Sequence, residues 1–285
     1  MYVVLGVTGN TGSVVAETLL QKHAPVRVVV RTAEKGAPWK AKGAEVAVAS
    51  YDDVPAMTQA MRGAKGVYLL VPPSYGAQPW LLHQHKTMDQ ATAAVKASGV
   101  PHVVFLSSVG GQLSGGTGPI RAAHYGEQVL ASAAPALTIL RPTYFMQNWG
   151  ATVGMAKAQG VLPMFMPPQA KLPMISTVDI GRIGAERLLA GGNGRQIVEM
   201  TGPEEYSGQQ AAEILTQLLG RTVTAQQAPL SAVVPTMKSF GFSDDAAALF
   251  EEMYTAFSKQ TIHSEFPEKV VRGTVSLHDA LRRMV

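Results

Sequence analysis

Three glycines stand three apart in "GVTGNTGSVVAETLL" (6–20), directly after the apolar opening "MYVVL". That spacing suits an anion held by backbone amides. Gly6 can make the tight turn out of a strand, Gly9 can let the backbone approach a pyrophosphate, and Gly12 can let the following helix pack closely on that strand. Thr8, Asn10 and Thr11 add side-chain donors, and the amides and dipole of the helix N-terminus face the anion. The bland alternative is a glycine turn without a ligand; the motif's place between a strand and a helix favours the phosphate loop.

The end of the second strand selects the nucleotide. An acidic residue there accepts from the adenosine ribose hydroxyls and favours NAD, whereas an arginine pairs with the 2′-phosphate of NADP. Arg31 ends "VRVVV", and Lys35 follows as a second cation. The expected cofactor is NADP, used as NADPH.

The elements that must position these residues alternate. Strands are expected at 2–5, 26–30, 45–49, 66–71, 102–107 and 137–141, several of them almost continuously apolar, as strands covered on both faces are. Helices are expected between them at 12–22, 54–62, 80–98 and 121–133. Asp53 reads as an N-cap with Pro55 behind it, and Gly99 with Pro101 as a helix stop. This is the pattern of an α/β, doubly wound, Rossmann-type parallel sheet. It implies a dinucleotide-binding domain over 1–150, joined by later segments near 175–200, and a smaller mixed α/β substrate lobe over 151–285. In the second half, "GVLPMFMPPQAKLPMIS" (160–176) shows no period, and helices are expected near 179–190, 208–219, 243–258 and 274–284.

Composition removes other chemistries. There is no cysteine, which excludes disulfides, thiolate metal sites and cysteine nucleophiles. The one close histidine pair, His83 and His85, sits two apart in an expected helix and so points two ways, giving no metal site. The net charge of +4 is spread thinly, which argues against a nucleic-acid partner, and no stretch approaches the roughly 20 apolar residues of a membrane span. A small-molecule substrate, a cytoplasmic location and a monomer or homodimer are expected.

The ordered pieces "GVTGNTG", Arg31, "FLSS", "LRPTYFMQN" (140–148), "STVDIGRIGAERLL" and "EMTGPEEYSGQQAAEILTQLLGRTV" (199–223) resemble the NmrA-like family of atypical short-chain dehydrogenases/reductases. Within it they look most like the bacterial NADPH-dependent quinone oxidoreductase and triphenylmethane reductase group. The resemblance implies a nicotinamide near the ends of strands four and five, which places Val71, Pro72, Pro73 and Ser107 beside it and Ser108 next to the acceptor. It puts Tyr51 near the adenine, with Ser50 where the family commonly carries an acid. Tyr144 is assigned to the cofactor site. The acceptor pocket is expected to contain Tyr75, Phe145 and Asn148, with Trp80, Tyr144 and Met164 to Met166 also beside it.

Typical short-chain dehydrogenases use a Tyr-x-x-x-Lys pair as the proton donor. In "RAAHYGEQVL" Tyr125 is followed four residues on by Val129, so the pair is broken, and the family's frequent lysine or histidine is here Ala123. His124 and Tyr125 are the candidate catalytic residues, against an equally weighted reading as ordinary helix residues. Without the pair, the chemistry expected is hydride transfer to a quinone or comparable conjugated acceptor, whose reduced form needs no strong acid. A non-catalytic NADP(H)-binding redox sensor, or a reductase of one specific biosynthetic intermediate, fits the same motifs.

Overall fold

The computed structural model describes all 285 residues. The six expected strands form as β1 (Tyr2–Val4), β2 (Val26–Val30), β3 (Glu45–Val48), β4 (Gly66–Leu69), β5 (His102–Leu106) and β6 (Ala136–Pro142). They pair in parallel in the order β3-β2-β1-β4-β5-β6. The chain leaves β1 toward one edge, then returns to start β4 on its other side. The loops leaving β1 and β4 therefore diverge and open a crevice at the carboxyl ends of these strands.

Alternation along each strand feeds two cores. Val3, Val67, Leu69, Val103 and Phe105 point to one face, and Val4, Tyr68 and Val104 to the other. The first face is covered by α3 (Val54–Met61), α4 (Trp80–Ser98) and α5 (Ile120–Leu130), through Met57, Met61, Met88, Val95 and Leu130. The second is covered by α1 (Asn10–Gln21) and α2 (Ala33–Ala41), through Val15, Leu19 and Trp39. The Asp53 cap forms, accepting from the Ala56 amide at 2.9 Å, and Gly99 closes α4 with φ of 69°.

Helix α2 was not expected, because Gly36 and Pro38 interrupt its sequence. The glycine has a packing reason: a Cβ there would lie 2.3 Å from Val46 on β3, so only glycine lets the helix press onto the sheet.

The second half adds β7 (Tyr144–Phe145), α6 (Gly150–Gln159), β8 (Val161–Met164), β9 (Lys171–Ile175), α7 (Thr177–Ala190), β10 (Gly194–Thr201), β11 (Glu205–Ser207), α8 (Gly208–Leu219), β12 (Thr224–Gln227), α9 (Val233–Ser239), α10 (Asp244–Ser258), β13 (Val271–Arg272) and α11 (Leu277–Arg282). β10 and β13 extend the sheet beyond β6, giving eight parallel strands. α7 packs on α1 so closely that a Cβ on Gly181 would lie 2.5 Å from the Val14 Cβ. Its Asp179 accepts from the backbone amides of Thr274 and Val275 at 3.1 and 2.9 Å, tying the C-terminal segment to the sheet.

α6, α8, α11 and the short strands gather around a separate core containing Met146, Trp149, Leu162, Met174, Leu215 and Leu281, while α9 and α10 pack on each other through Val233, Met237 and Ala247. The stretch 160–176 is not aperiodic loop throughout; it carries β8 and β9, with a turn at 165–170 between them. No helix is long and apolar enough to cross a membrane.

Candidate functional site

The glycine loop has the geometry of an anion cradle. Gly6 holds φ at 69°, and its carbonyl accepts from the Gly9 amide at 2.9 Å. A Cβ on Gly12 would sit 2.5 Å from the carbonyl oxygens of both Leu5 and Gly6, backbone that has nowhere to move. Gly9 caps α1 with no side-chain hydrogen bond, which leaves amides of the first helical turn free for a ligand. Thr8, Gly9 and Asn10 are exposed. Thr11 is not: it is 5% exposed and lies against the Tyr68 hydroxyl in the core, so its backbone amide rather than its side chain is what it can offer an anion.

From this loop a chain of cavities runs along the carboxyl edge of the sheet. The first, of about 300 Å³, is lined by Gly6, Thr8, Arg31, Lys35, Ser50, Tyr51 and Pro72, with His83 and Thr87 from α4 closing it. The Arg31 side chain is exposed and makes no ion pair within the protein, which leaves its guanidinium available to an anionic group. The Tyr51 hydroxyl donates to the Leu70 carbonyl, and burial pushes its pKa upward, so it stays a neutral wall. Observed together, the cradle, the uncapped amides and the paired cations fit a 2′-phosphorylated dinucleotide.

Beyond Pro72 lies a second cavity of about 300 Å³, lined by Val71, Pro73, Tyr75, Trp80, Ser107, Ser108, Ala122, Ala123 and Phe145. The Ser107 hydroxyl is turned inward, donating to Glu127 Oε1 at 2.6 Å, and that of Ser108 donates to the Val109 carbonyl at 3.0 Å. A third, of about 600 Å³, shares Tyr75, Ser108 and Phe145 with the second and adds Tyr144 and Asn148. Tyr144 thus lines the third cavity and not the second.

His124 and Tyr125 line none of these cavities. The helix presents Ala122 and Ala123 to the cavity, and at 100° per residue the next two side chains turn away. His124 Nδ1 lies 2.8 Å from the Gly111 carbonyl and Nε2 2.9 Å from Gln128 Nε2, so both ring nitrogens are engaged. Tyr125 stacks on His85 with centroids 3.9 Å apart and donates to Asp89 at 2.7 Å, a bond that raises its pKa. Both side chains therefore lie outside the cavities that the other expected site residues line.

The far wall of the third cavity was missed entirely. It comes from α9 and α10 and the turn joining them: Met237, Phe240, Phe242, Phe250, Tyr254 and Phe257. Phe250, Tyr254 and Phe257 recur at helical spacing in "FEEMYTAF", a stripe that in isolation reads as core. Tyr75 stacks on Phe242 with centroids 4.3 Å apart and meets Phe250 edge-on at 5.2 Å, while its carbonyl accepts from the Ser243 amide at 2.9 Å. The loop after β4 is thereby fastened to α10, and the third cavity has a fixed aromatic roof. Of the expected methionines, Met164 and Met166 line a fourth cavity of about 280 Å³ instead.

A buried ionic cluster lies directly behind Ser107. Glu127 accepts from Arg141 Nε at 2.8 Å and Nη2 at 2.7 Å, and from Arg195 at 3.3 Å. Arg141 also pairs with Glu265, and Glu199 accepts from the amides of Glu265 and Phe266 at 2.8 Å each. No sequence spacing announces this cluster, because its members lie on α5, β6, β10 and a C-terminal loop.

Comparison with known proteins agrees with this architecture. The chain is 26% identical over 259 residues to an NAD(P)H azoreductase from Xenophilus azovorans, covering 89% of this chain and 86% of that one. Its fold superposes on an NADPH-dependent quinone oxidoreductase from Escherichia coli solved with NADPH, with a TM-score of 0.83 at 23% identity, covering 100% of this chain and 99% of that one. A Citrobacter triphenylmethane reductase solved with NADP(H) gives 0.78 at 18% identity, with 100% of both chains covered. Residues 2–276 match the sequence pattern of the NmrA-like family, and the chain belongs to that family.

Proposed function

We propose that this chain is an NADPH-dependent reductase that passes hydride to a quinone or a similarly conjugated acceptor. The observation that carries the choice of acceptor is the composition of the second and third cavities, whose lining includes no histidine, aspartate or glutamate and no lysine to lower the pKa of its tyrosines, Tyr75, Tyr144 and Tyr254, which burial instead raises. Reducing an isolated ketone generates a strongly basic alkoxide that needs a positioned acid. Reducing a quinone generates a phenolate, whose conjugate acid has a pKa of about 10 and which water can protonate. The pocket suits the second reaction. The reductions named for the azoreductase and quinone oxidoreductase relatives point the same way.

NADPH, when bound, supplies the hydride at its nicotinamide ring. In this reading the α1 amides hold the pyrophosphate, Arg31 and Lys35 the 2′-phosphate, and Val71 to Pro73 with Ser107 flank the nicotinamide end. Tyr75, Phe145 and the α10 aromatics hold a planar acceptor and exclude water from its ring, so that orientation supplies most of the rate. The acceptor takes up the hydride and one solvent proton and leaves as hydroquinone, with NADP⁺ as the other product.

Two measurements test this. Purified protein is expected to oxidise NADPH in the presence of benzoquinones and naphthoquinones and not with simple aryl ketones; tight NADPH binding by calorimetry with no quinone turnover would establish a non-catalytic sensor instead. The second is the pH profile. Burial pushes the Tyr75 hydroxyl up to about 12 and raises those of Tyr144 and Tyr254, so these phenols stay protonated through the neutral range. With no other titratable side chain lining the pocket, kcat is expected to be flat from about pH 6 to about pH 9. A bell-shaped profile in that range would show that a protein group transfers the proton.

A further inference from the structure

We infer that the acceptor is a two-part molecule, a planar quinone ring carrying one alkyl or prenyl chain, and that the fourth cavity is the compartment for that chain. This rests on the quinone reading above and sharpens it. The fourth cavity, of about 280 Å³, continues from the third: Tyr144, Asn148, Ala151, Met237, Phe240 and Tyr254 line both. It lies farther along the cleft from the glycine loop and touches none of the residues assigned to the nicotinamide end.

Its chemistry differs from that of the ring pocket. Of its 19 lining residues 13 are hydrophobic, and they include five methionines: Met155, Met164, Met166, Met174 and Met237. Unbranched thioether side chains adapt to a flexible chain rather than to a flat ring, whereas the third cavity is walled by stacked and edge-on aromatics. The neck between the two carries the polar groups. Tyr144, Asn148 and Tyr254 line both cavities, which places hydroxyl and amide groups where a ring oxygen passes into an apolar substituent.

The compartment is not sealed. Met164 and Met174 are 9% and 1% exposed, but Met155, which lines this compartment alone, is 41% exposed, and Phe240, on the shared lining, is 59% exposed. Large apolar side chains left in water are unfavourable there and favourable against a hydrocarbon chain leaving the compartment. Chain length is therefore expected to help until the compartment is filled and to be tolerated beyond that.

The test is a series of 2-alkyl-1,4-benzoquinones of increasing chain length, read both as NADPH oxidation and as calorimetric binding to the NADP⁺-loaded protein. The expected result is a rise in kcat/KM of about fourfold per added methylene over the first several carbons, carried by KM with kcat nearly constant, followed by a plateau. Ala228→Phe, and separately Thr236→Phe, placed on the compartment wall, should flatten that rise, with NADPH binding confirming that each variant is folded. Turnover of unsubstituted quinone with no dependence on chain length would overturn the compartment and leave the quinone reading standing. Affinity that climbs with chain length without any turnover would do the reverse. Neither affinity nor turnover would overturn both.

Discussion

Arg31→Asp is expected to lower kcat/KM with NADPH by about 100-fold or more while leaving that with NADH within a few-fold. The guanidinium sits at the end of β2, exposed on the wall of the first cavity with Lys35, and has no partner in the protein to lose. Its replacement therefore changes the cavity without unsettling the fold. A hydrogen bond to a charged group is worth about 1.5–3 kcal/mol, roughly 10- to 150-fold, and an aspartate adds repulsion against a phosphate that is itself close to doubly charged. NADH lacks that phosphate and meets the aspartate as an acceptor for its ribose hydroxyls. Lys35 retains part of the attraction, so Arg31→Asp combined with Lys35→Ala should shift the preference further. Steady-state kinetics with both nucleotides, and calorimetry if turnover is slow, check this. Equal losses for the two would remove the 2′-phosphate from the cavity.

Much of this was legible before any coordinates. The phosphate loop could be read because its requirements are local: Gly6 needs a positive φ and Gly12 has no room for a Cβ, conditions set within seven residues of chain. The six main strands were legible for a related reason, since a strand covered on both faces must be apolar at consecutive positions. The third cavity was not. Its walls come from the loops after β4 and β6 and from α9 and α10, segments spread along the chain from Tyr75 to Phe257, and the Phe250, Tyr254 and Phe257 stripe carries the same periodicity whether it faces a core or a cavity. The position of His124 and Tyr125 outside these cavities was illegible for a different reason. Residue type was right for proton transfer, but one residue of helical rotation separates a cavity-facing position from a buried or surface one, and sequence spacing alone does not fix that phase.

Glu127→Ala should lower the melting temperature by about 10 °C, the largest stability effect expected of a single substitution near the site. Glu127 is 2% exposed and accepts from the Ser107 hydroxyl, from two nitrogens of Arg141 and from Arg195. Arg141 is equally buried, so removing the carboxylate leaves a guanidinium with only Glu265 and the more distant Glu199, at 3.9 Å. Breaking a buried pair by deleting one partner costs about 3–5 kcal/mol, because the remaining charge stays desolvated. At roughly 2–4 °C per kcal/mol for a domain of this size, that cost gives the expected shift. The pairing itself is not what stabilises the fold most, and a second variant separates the two ideas. Glu127→Leu combined with Arg141→Met removes both charges together and should recover part of the loss; a double variant as unstable as the sum of the singles would show that the bonds rather than the stranded charge matter. The same substitution also acts on the cofactor end. Ser107 and Gly111 pack against the Glu127 carboxylate, and a Cβ on Gly111 would lie 2.3 Å from it. With the carboxylate gone, the loop after β5 loses the group that fixes its path beside the second cavity. NADPH affinity should fall along with stability, which thermal shift with and without NADPH would resolve into its two parts.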